Sequence, residues 1–354
     1  MQTATLPTTM KAAVLKQPFE IVVDTVPVPS PRADEVLVQV MAVGVCGSDV
    51  HYYEHGRIGR YVVEQPLILG HECAGVVVQV GELVTKFQPG DRVAVEPGVV
   101  CGKCDACRQG RYNLCPDVQF LATPPVDGAF AQYICVRQDN VFAIPPHVSF
   151  EEAALNEPFS VGIQAVTRAG VKPGDTVAIM GVGPVGLMTV VAARACGAKT
   201  IIVTDLEPIR LKAAMHLGAS FAINVRNQDP VQAIRRLTDG VGVDVVLETA
   251  GNPEALRASV ASARRGGKLA IVGLPAKDDI ALDIPSIVDN EIDIYGVFRY
   301  ANTYARGIQI LSSGIADVKS IVTDRFPLVA AQEAMERART NRSGSLKVMV
   351  YPND

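Results

Sequence analysis

The 354-residue chain carries no long run of Lys and Arg, no unbroken apolar stretch of membrane length, and no internal repeat or low-complexity segment. Without a basic block, and with a formal net charge of -4, it has no general attraction to nucleic acid or to an anionic membrane. Its longest apolar run, 177–193, is broken by Gly181, Gly183, Pro184 and Gly186, which suits a buried strand, turn and helix rather than a membrane span. The first ten residues show neither a basic start nor an apolar core, so no secretory signal is expected, and a cytoplasmic location is. Eight cysteines in that setting should remain thiols, available to bind metal.

Hydrophobic residues make up 48% and charged residues 20%, enough apolar material for a soluble protein with a sizeable core. A chain of this length exceeds one core and implies two domains, three at most. Up to about residue 150 the sequence reads as β-rich, with short runs at 35–43, 75–80, 92–95 and 129–136 set apart by Pro and Gly. From about 160 the rhythm changes to compact apolar strands at 176–180, 200–204, 221–224, 243–248, 268–272 and 292–295. Helical segments at 186–196, 208–217, 230–237 and 253–263 lie between the first five. Strands apolar on both faces that alternate with helices imply an α/β unit, a parallel sheet covered on each side. Six of them fit the two halves of a doubly wound Rossmann sheet. Helices at 304–313 and 330–339 and a closing strand at 346–351 form a tail too short to fold alone, which should rejoin the first domain. The expected division is therefore 1–157 with 297–354, and 158–296.

Cys101, Cys104, Cys107 and Cys115 stand in the spacing C-x2-C-x2-C-x7-C. Thiolates two residues apart chelate one ion readily and pair with each other awkwardly. Zn²⁺ accepts four sulfurs at about 2.3 Å, so a closed structural zinc site is the leading reading, with disulfides or a redox motif as the alternative. A closed site offers no open position, so the chemistry must lie elsewhere. The strand at 176–180 runs into Gly181-Val182-Gly183-Pro184-Val185-Gly186 and then a helix, the context that G-x-G-x-x-G requires. The first glycine permits the turn, the second lets backbone approach a pyrophosphate at the helix N-terminus, and the third allows close helix–strand packing. A turn of small residues made for packing alone is the alternative. The next strand ends in Thr204-Asp205, where a carboxylate would take the ribose hydroxyls and repel a 2′-phosphate. NAD is favoured over NADP, while Arg210 nearby keeps that preference open.

Cys46-Gly47-Ser48-Asp49-Val50-His51 and Gly70-His71-Glu72 form the other dense constellation. Sulfur, imidazole and carboxylate make a mixed donor set suited to a catalytic zinc, with a position left for water or substrate. Asp49 is a plausible acceptor for the ligand imidazole. Taken alone, His71 would as well be a buried hydrogen-bonded residue and Glu72 a surface charge. Cys73, Cys135 and Cys196 read as small apolar fillers.

Five segments together carry a resemblance over nearly the whole chain. They are the run from Val45-Cys46-Gly47-Ser48-Asp49 through Val50-His51-Tyr52-Tyr53 to Gly59, Gly70-His71-Glu72, Asn156-Glu157-Pro158, Thr204-Asp205-Leu206 and Val297-Phe298-Arg299-Tyr300. The sequence resembles the zinc-dependent medium-chain dehydrogenases, and within them the polyol branch typified by sorbitol dehydrogenase. That resemblance implies a β-rich GroES-like catalytic domain beside the Rossmann domain, and oxidation of a secondary hydroxyl of a polyol with hydride transfer to NAD⁺. It implies a catalytic zinc on Cys46, His71 and Glu72, with Glu157 close to the metal where simple alcohol dehydrogenases carry Cys. The four-cysteine lobe then holds a structural zinc, making two per subunit. By the same resemblance Ser48 meets the reacting oxygen, His51 is a relay to solvent or only an exposed histidine, and Tyr52, Glu157, Arg299 and Tyr300 contact the other hydroxyls. The cofactor set expected is Gly181, Gly183, Val185, Gly186, Asp205, Arg210, Val272, Gly273, Leu274, Val297, Phe298 and Arg299. Related enzymes are dimers or tetramers, so a homo-oligomer is expected, a tetramer before a dimer. The rivals are a threonine- or aldehyde-directed member of the same family and a non-catalytic nucleotide-binding protein. A zinc-dependent nucleic-acid binder is disfavoured by the acidic charge balance.

Overall fold

The computed structural model describes residues 6–275, 279–340 and 344–354. The chain forms two compact units, Met1–Glu157 with Val322–Asp354, and Pro158–Ile321. The first boundary lies within the opening turn of the helix Asn156–Ala169. The second differs from the expected return at residue 297, because residues 297–321 group with the second unit. They are held there by contacts to its other elements: Val297 donates to Ile271 O at 3.0 Å, and Ala301 N donates to Gln164 Oε1 at 3.5 Å.

The first unit is built on a mixed seven-stranded sheet. Its path runs Val141–Ala143, Arg92–Val95, Glu72–Val80, Glu35–Gly44, Lys347–Tyr351 and Val322–Pro327, and Tyr133–Arg137 also pairs with Glu35–Gly44. The closing strand is thus interior, next to the edge strand Val322–Pro327 and antiparallel to Glu35–Gly44 with Met349 opposite Gly44. On its other edge Gly44 lies opposite Glu72. The strand expected at 129–136 is shorter, Tyr133–Arg137. Residues 129–132 spend their backbone groups elsewhere: Ala129 and Phe130 donate to Gly70 O and Leu69 O at 2.7 and 2.9 Å, and Gln132 donates to Lys11 O at 3.1 Å. A segment bonded to a loop on one side and a different strand on the other does not continue a ladder.

The second unit is an all-parallel six-stranded sheet in the order Phe221–Asn224, Thr200–Asp205, Thr176–Met180, Val243–Glu248, Ala263–Ile271, Asp293–Gly296. This is the 3-2-1-4-5-6 order of a doubly wound nucleotide fold, whose ligand crevice opens where the order reverses, beside the first strand. The helices Pro184–Ala195, Pro208–Leu217, Pro230–Leu237 and Pro253–Ser262 each begin with Pro, whose fixed φ and missing N–H cost nothing in a first turn.

Candidate active site and metal centre

Cys46, His71 and Glu72 come from the same end of one ladder, where Gly44 lies opposite Glu72. Cys46 follows the strand Glu35–Gly44 and is the N-cap of the helix Gly47–His55, while His71 and Glu72 open the strand Glu72–Val80. Their ligand atoms all lie within 4.8 Å of one another. His71 and Glu72 are buried, at 5% and 1% exposure. Asp49, fully buried, binds the two arms together: Oδ2 accepts from Cys46 N at 2.9 Å and Oδ1 from Gly70 N at 3.0 Å. The same Oδ1 lies 3.5 Å from His71 Nδ1, which orients the ring so that Nε2 is the nitrogen left for a ligand. Burial alone would raise the Asp49 pKa, but His71 and the two amides hold it below its ordinary value. For His71, burial penalises the imidazolium, and Asp49 and Cys46 outweigh it, raising the pKa well above the usual histidine range.

One residue of this pocket was not anticipated. Lys347, at 1% exposure, ion-pairs with Glu72 Oε2 and donates to Val45 O at 2.9 Å. Burial works against its ammonium, but Glu72 first and Cys46 next hold its pKa above the ordinary lysine value. The sequence signal was absent because a lone Lys in a closing strand marks nothing until the register sets it against Gly44 and Glu72. Glu157, at 5% exposure in the first turn of Asn156–Ala169, lies outside the three-ligand cluster, yet its charge helps raise the pKa of both Lys347 and Glu96.

A sulfur, a ring nitrogen and a carboxylate converging within 4.8 Å, the last two buried, form a donor set that fits Zn²⁺. Cys101, Cys104, Cys107 and Cys115 likewise bring four ligand atoms within 4.8 Å of one another, and all four are free thiols, not disulfides. Around them, Cys104 N donates to Cys101 Sγ at 3.4 Å and Cys101 N to Cys115 Sγ at 3.5 Å. The Lys103 and Cys104 amides draw the Cys101 thiol down to about 7, while burial first and the Cys104 side chain next push that of Cys107 up to about 12. This lobe fits a second, closed zinc.

In the second unit a cleft of about 580 Å³ is lined by Gly181, Gly183, Asp205, Arg210, Thr249 and Asn252 among others. Gly181 has φ +88°, and a Cβ there would meet Ala250 Cβ at 2.6 Å, so only glycine fits the turn. Gly183 faces open space, room for a ligand's approach, whereas a side chain on Gly186 would overlap the Gly181 carbonyl. Asp205 pins the glycine turn by accepting from Val182 N at 2.8 Å, and Arg210 Nη1 lies 3.7 Å from its Oδ2. Val185 sits within the helix Pro184–Ala195. Val272 and Gly273 donate to Glu248 O at 2.8 and 3.1 Å, and Leu274 is 81% exposed. Arg299 adopts φ +50° and stacks its guanidinium 4.8 Å from the Phe298 ring, while Tyr300 is buried. On the helix Gly47–His55, Ser48 is half-buried, Tyr52 buried and His51 exposed with its ring 4.8 Å from that of His55.

The chain matches the alcohol dehydrogenase GroES-like domain over residues 32–146 and the zinc-binding dehydrogenase domain over 184–313. It is 64% identical over 351 residues to a sorbitol dehydrogenase of Bacillus subtilis, spanning 99% of each chain. It belongs to the zinc-dependent medium-chain dehydrogenases. A sorbitol dehydrogenase of Bos taurus is 42% identical over 346 residues, with 96% of each chain covered. A crystal structure of an Escherichia coli oxidoreductase of unknown specificity superposes with a TM-score of 0.94 at 40% identity, covering 98% of this chain and 100% of that one. The first unit is therefore the GroES-like domain and the second the Rossmann domain. Family membership makes this protein a zinc-requiring, NAD-linked oxidoreductase of the polyol dehydrogenase type, which favours polyols over the threonine-directed and non-catalytic alternatives. Among the described residues no helix is long and apolar enough to cross a membrane.

Proposed function

We propose that the protein oxidises a secondary hydroxyl of a sugar alcohol of the sorbitol and xylitol class to the ketose, passing hydride to NAD⁺ in preference to NADP⁺. The observation that carries this reading is the convergence of the half-buried Cys46 with the buried His71 and Glu72, and a carboxylate, Glu157, at hand. Identity to proteins called sorbitol dehydrogenase supports the substrate class.

Held by Cys46, His71 and Glu72, Zn²⁺ would supply the Lewis acid that makes a substrate hydroxyl acidic near neutral pH. The chain's own groups do the rest. Ser48 accepts the proton lost by that hydroxyl and passes it to His51, three residues on and on the same helix face. Loss of the proton and of hydride from the carbinol carbon leaves the ketone and NADH. Tyr52, Glu157, Arg299 and Tyr300 take the remaining hydroxyls. Polar groups of this kind disfavour an apolar alcohol, because each one left buried without a partner costs about 1–3 kcal/mol. On the cofactor, Gly181, Gly183, Val185 and Gly186 meet the pyrophosphate, Asp205 and Arg210 the adenosine ribose, and Val272, Gly273, Leu274, Val297, Phe298 and Arg299 the remainder. The four cysteines hold the second zinc. The working form is a cytoplasmic homo-oligomer, a tetramer before a dimer.

Turnover with NAD⁺ on sorbitol and xylitol should exceed that on ethanol by at least a hundredfold in kcat/KM. A clear preference for ethanol would overturn the polyol assignment, and equal rates with NADP⁺ the cofactor preference.

A further inference from the structure

Lys347 is a charged side chain deep in the first unit with no role in the scheme above. Its placement follows from register. Lys347–Tyr351 pairs with Glu35–Gly44 so that Met349 faces Gly44, and Gly44 faces Glu72 on its other edge. Glycine leaves the space above that strand empty. A Cβ on Gly44 would overlap the Glu72 carboxylate and lie 2.8 Å from Lys347 Cε. The lysine and the glutamate meet across this gap, and the ammonium also holds Val45 O, the carbonyl immediately before Cys46. One cation thus touches both arms that carry the donor set. Among the described residues no hydrogen bond from another group reaches Glu72 Oε2.

We propose that Lys347 is a positioning residue for the metal centre: it fixes Glu72 through one oxygen so that the carboxylate offers the other to the ion, and Gly44 provides the room for this pair. The proposal rests on the assignment of Cys46, His71 and Glu72 as zinc ligands. The electrostatic logic is independent of any step in catalysis. Glu72, Asp49 and Glu157, all buried, place an excess of negative charge beside the half-buried Cys46, and an isolated buried carboxylate would neutralise or swing away. Lys347 offsets that excess without taking a place in the donor set. Partners that orient a ligand in this way change metal affinity by about ten- to a hundredfold when removed.

Holoprotein titrated with a chromophoric zinc chelator provides the test, read as zinc released per subunit, with circular dichroism to confirm folding. Wild type should hold two zincs. Lys347→Met, similar in length and uncharged, should release one of them at about ten- to a hundredfold lower chelator concentration and keep the other. Gly44→Ala, which keeps every charge and displaces the pair, should do the same and serves if Lys347→Met does not fold. In a Glu72→Gln background, Lys347→Met should add less than twofold. Release curves for both variants that superpose on wild type overturn the role of Lys347, as does a full additional loss in the Glu72→Gln background. Wild type holding a single zinc overturns the site assignment itself, and this inference with it.

Discussion

Glu96 shows how one buried carboxyl makes stability depend on pH. At 5% exposure it accepts a hydrogen bond from the Tyr112 hydroxyl at 2.9 Å. Burial pushes its pKa up to about 7; Tyr112 opposes the rise and Glu157 adds to it. A folded-state pKa above the ordinary 4.5 means that the folded protein binds the extra proton. The associated stability is fully present below about pH 4.5 and is lost as the pH rises through about 7. Glu96→Gln keeps an acceptor for Tyr112 and has no proton to lose. It should therefore gain on wild type between pH 5 and 8, by at most about 3 kcal/mol at pH 8. Urea denaturation across that range measures the difference, and a constant gap would exclude Glu96 as its origin. At this scale the constraints at Gly181 and Gly186 were legible, because they are local to one strand and the turn after it. Lys347 and Gly44 were not, since their meaning depends on which strands become neighbours.

Among the elements, the short helix Phe150–Ala154 leads into the helix that carries Glu157. It begins with a capping box: Ser149 Oγ accepts from Glu152 N at 3.3 Å, and Glu152 Oε2 accepts from Ser149 N at 2.8 Å. Glu151 then ties it to the returning chain, accepting from Arg325 Nε at 2.6 Å and from the Tyr351 hydroxyl. Ser149→Ala should cost about 1 kcal/mol, seen as a lower urea midpoint at unchanged slope. No change in the midpoint would mean that the Glu151 contacts alone secure this helix. Helix limits were readable where chemistry marks them: Pro208–Leu217 starts on Pro and ends at Gly218, whose φ of +116° closes the last turn. The sequence reading placed no helix at Gly47–His55, whose apolar residues make no stripe; its N-cap is Cys46 and its burial centres on Asp49, Tyr52 and Tyr53. Packing against the helix Ala331–Thr340 and the Asp49 bonds, not periodicity, decide that element.

For the whole molecule, the unresolved demand is the edge of the parallel sheet. Asp293–Gly296 is the last strand, paired on one side with Ala263–Ile271 and, among the described residues, with no strand on the other. Ile294 is 39% exposed, and the preceding helix Ile284–Asp289 shows Ile284 and Val288 at 58% and 66%. A bare edge flanked by apolar side chains invites pairing with another chain unless something covers it. A second copy meeting the same edge across a twofold axis closes the contact, because each surface is its own complement. The proposed oligomer would use this edge. Changing Val288 and Ile294 together to Lys sets four like charges across such an axis, and should shift the mass measured by light scattering to a smaller assembly. NADH binding should persist, since neither residue lines the cofactor cleft. An unchanged mass would place the interface elsewhere and leave the edge guarded by the chain's own neighbouring helix.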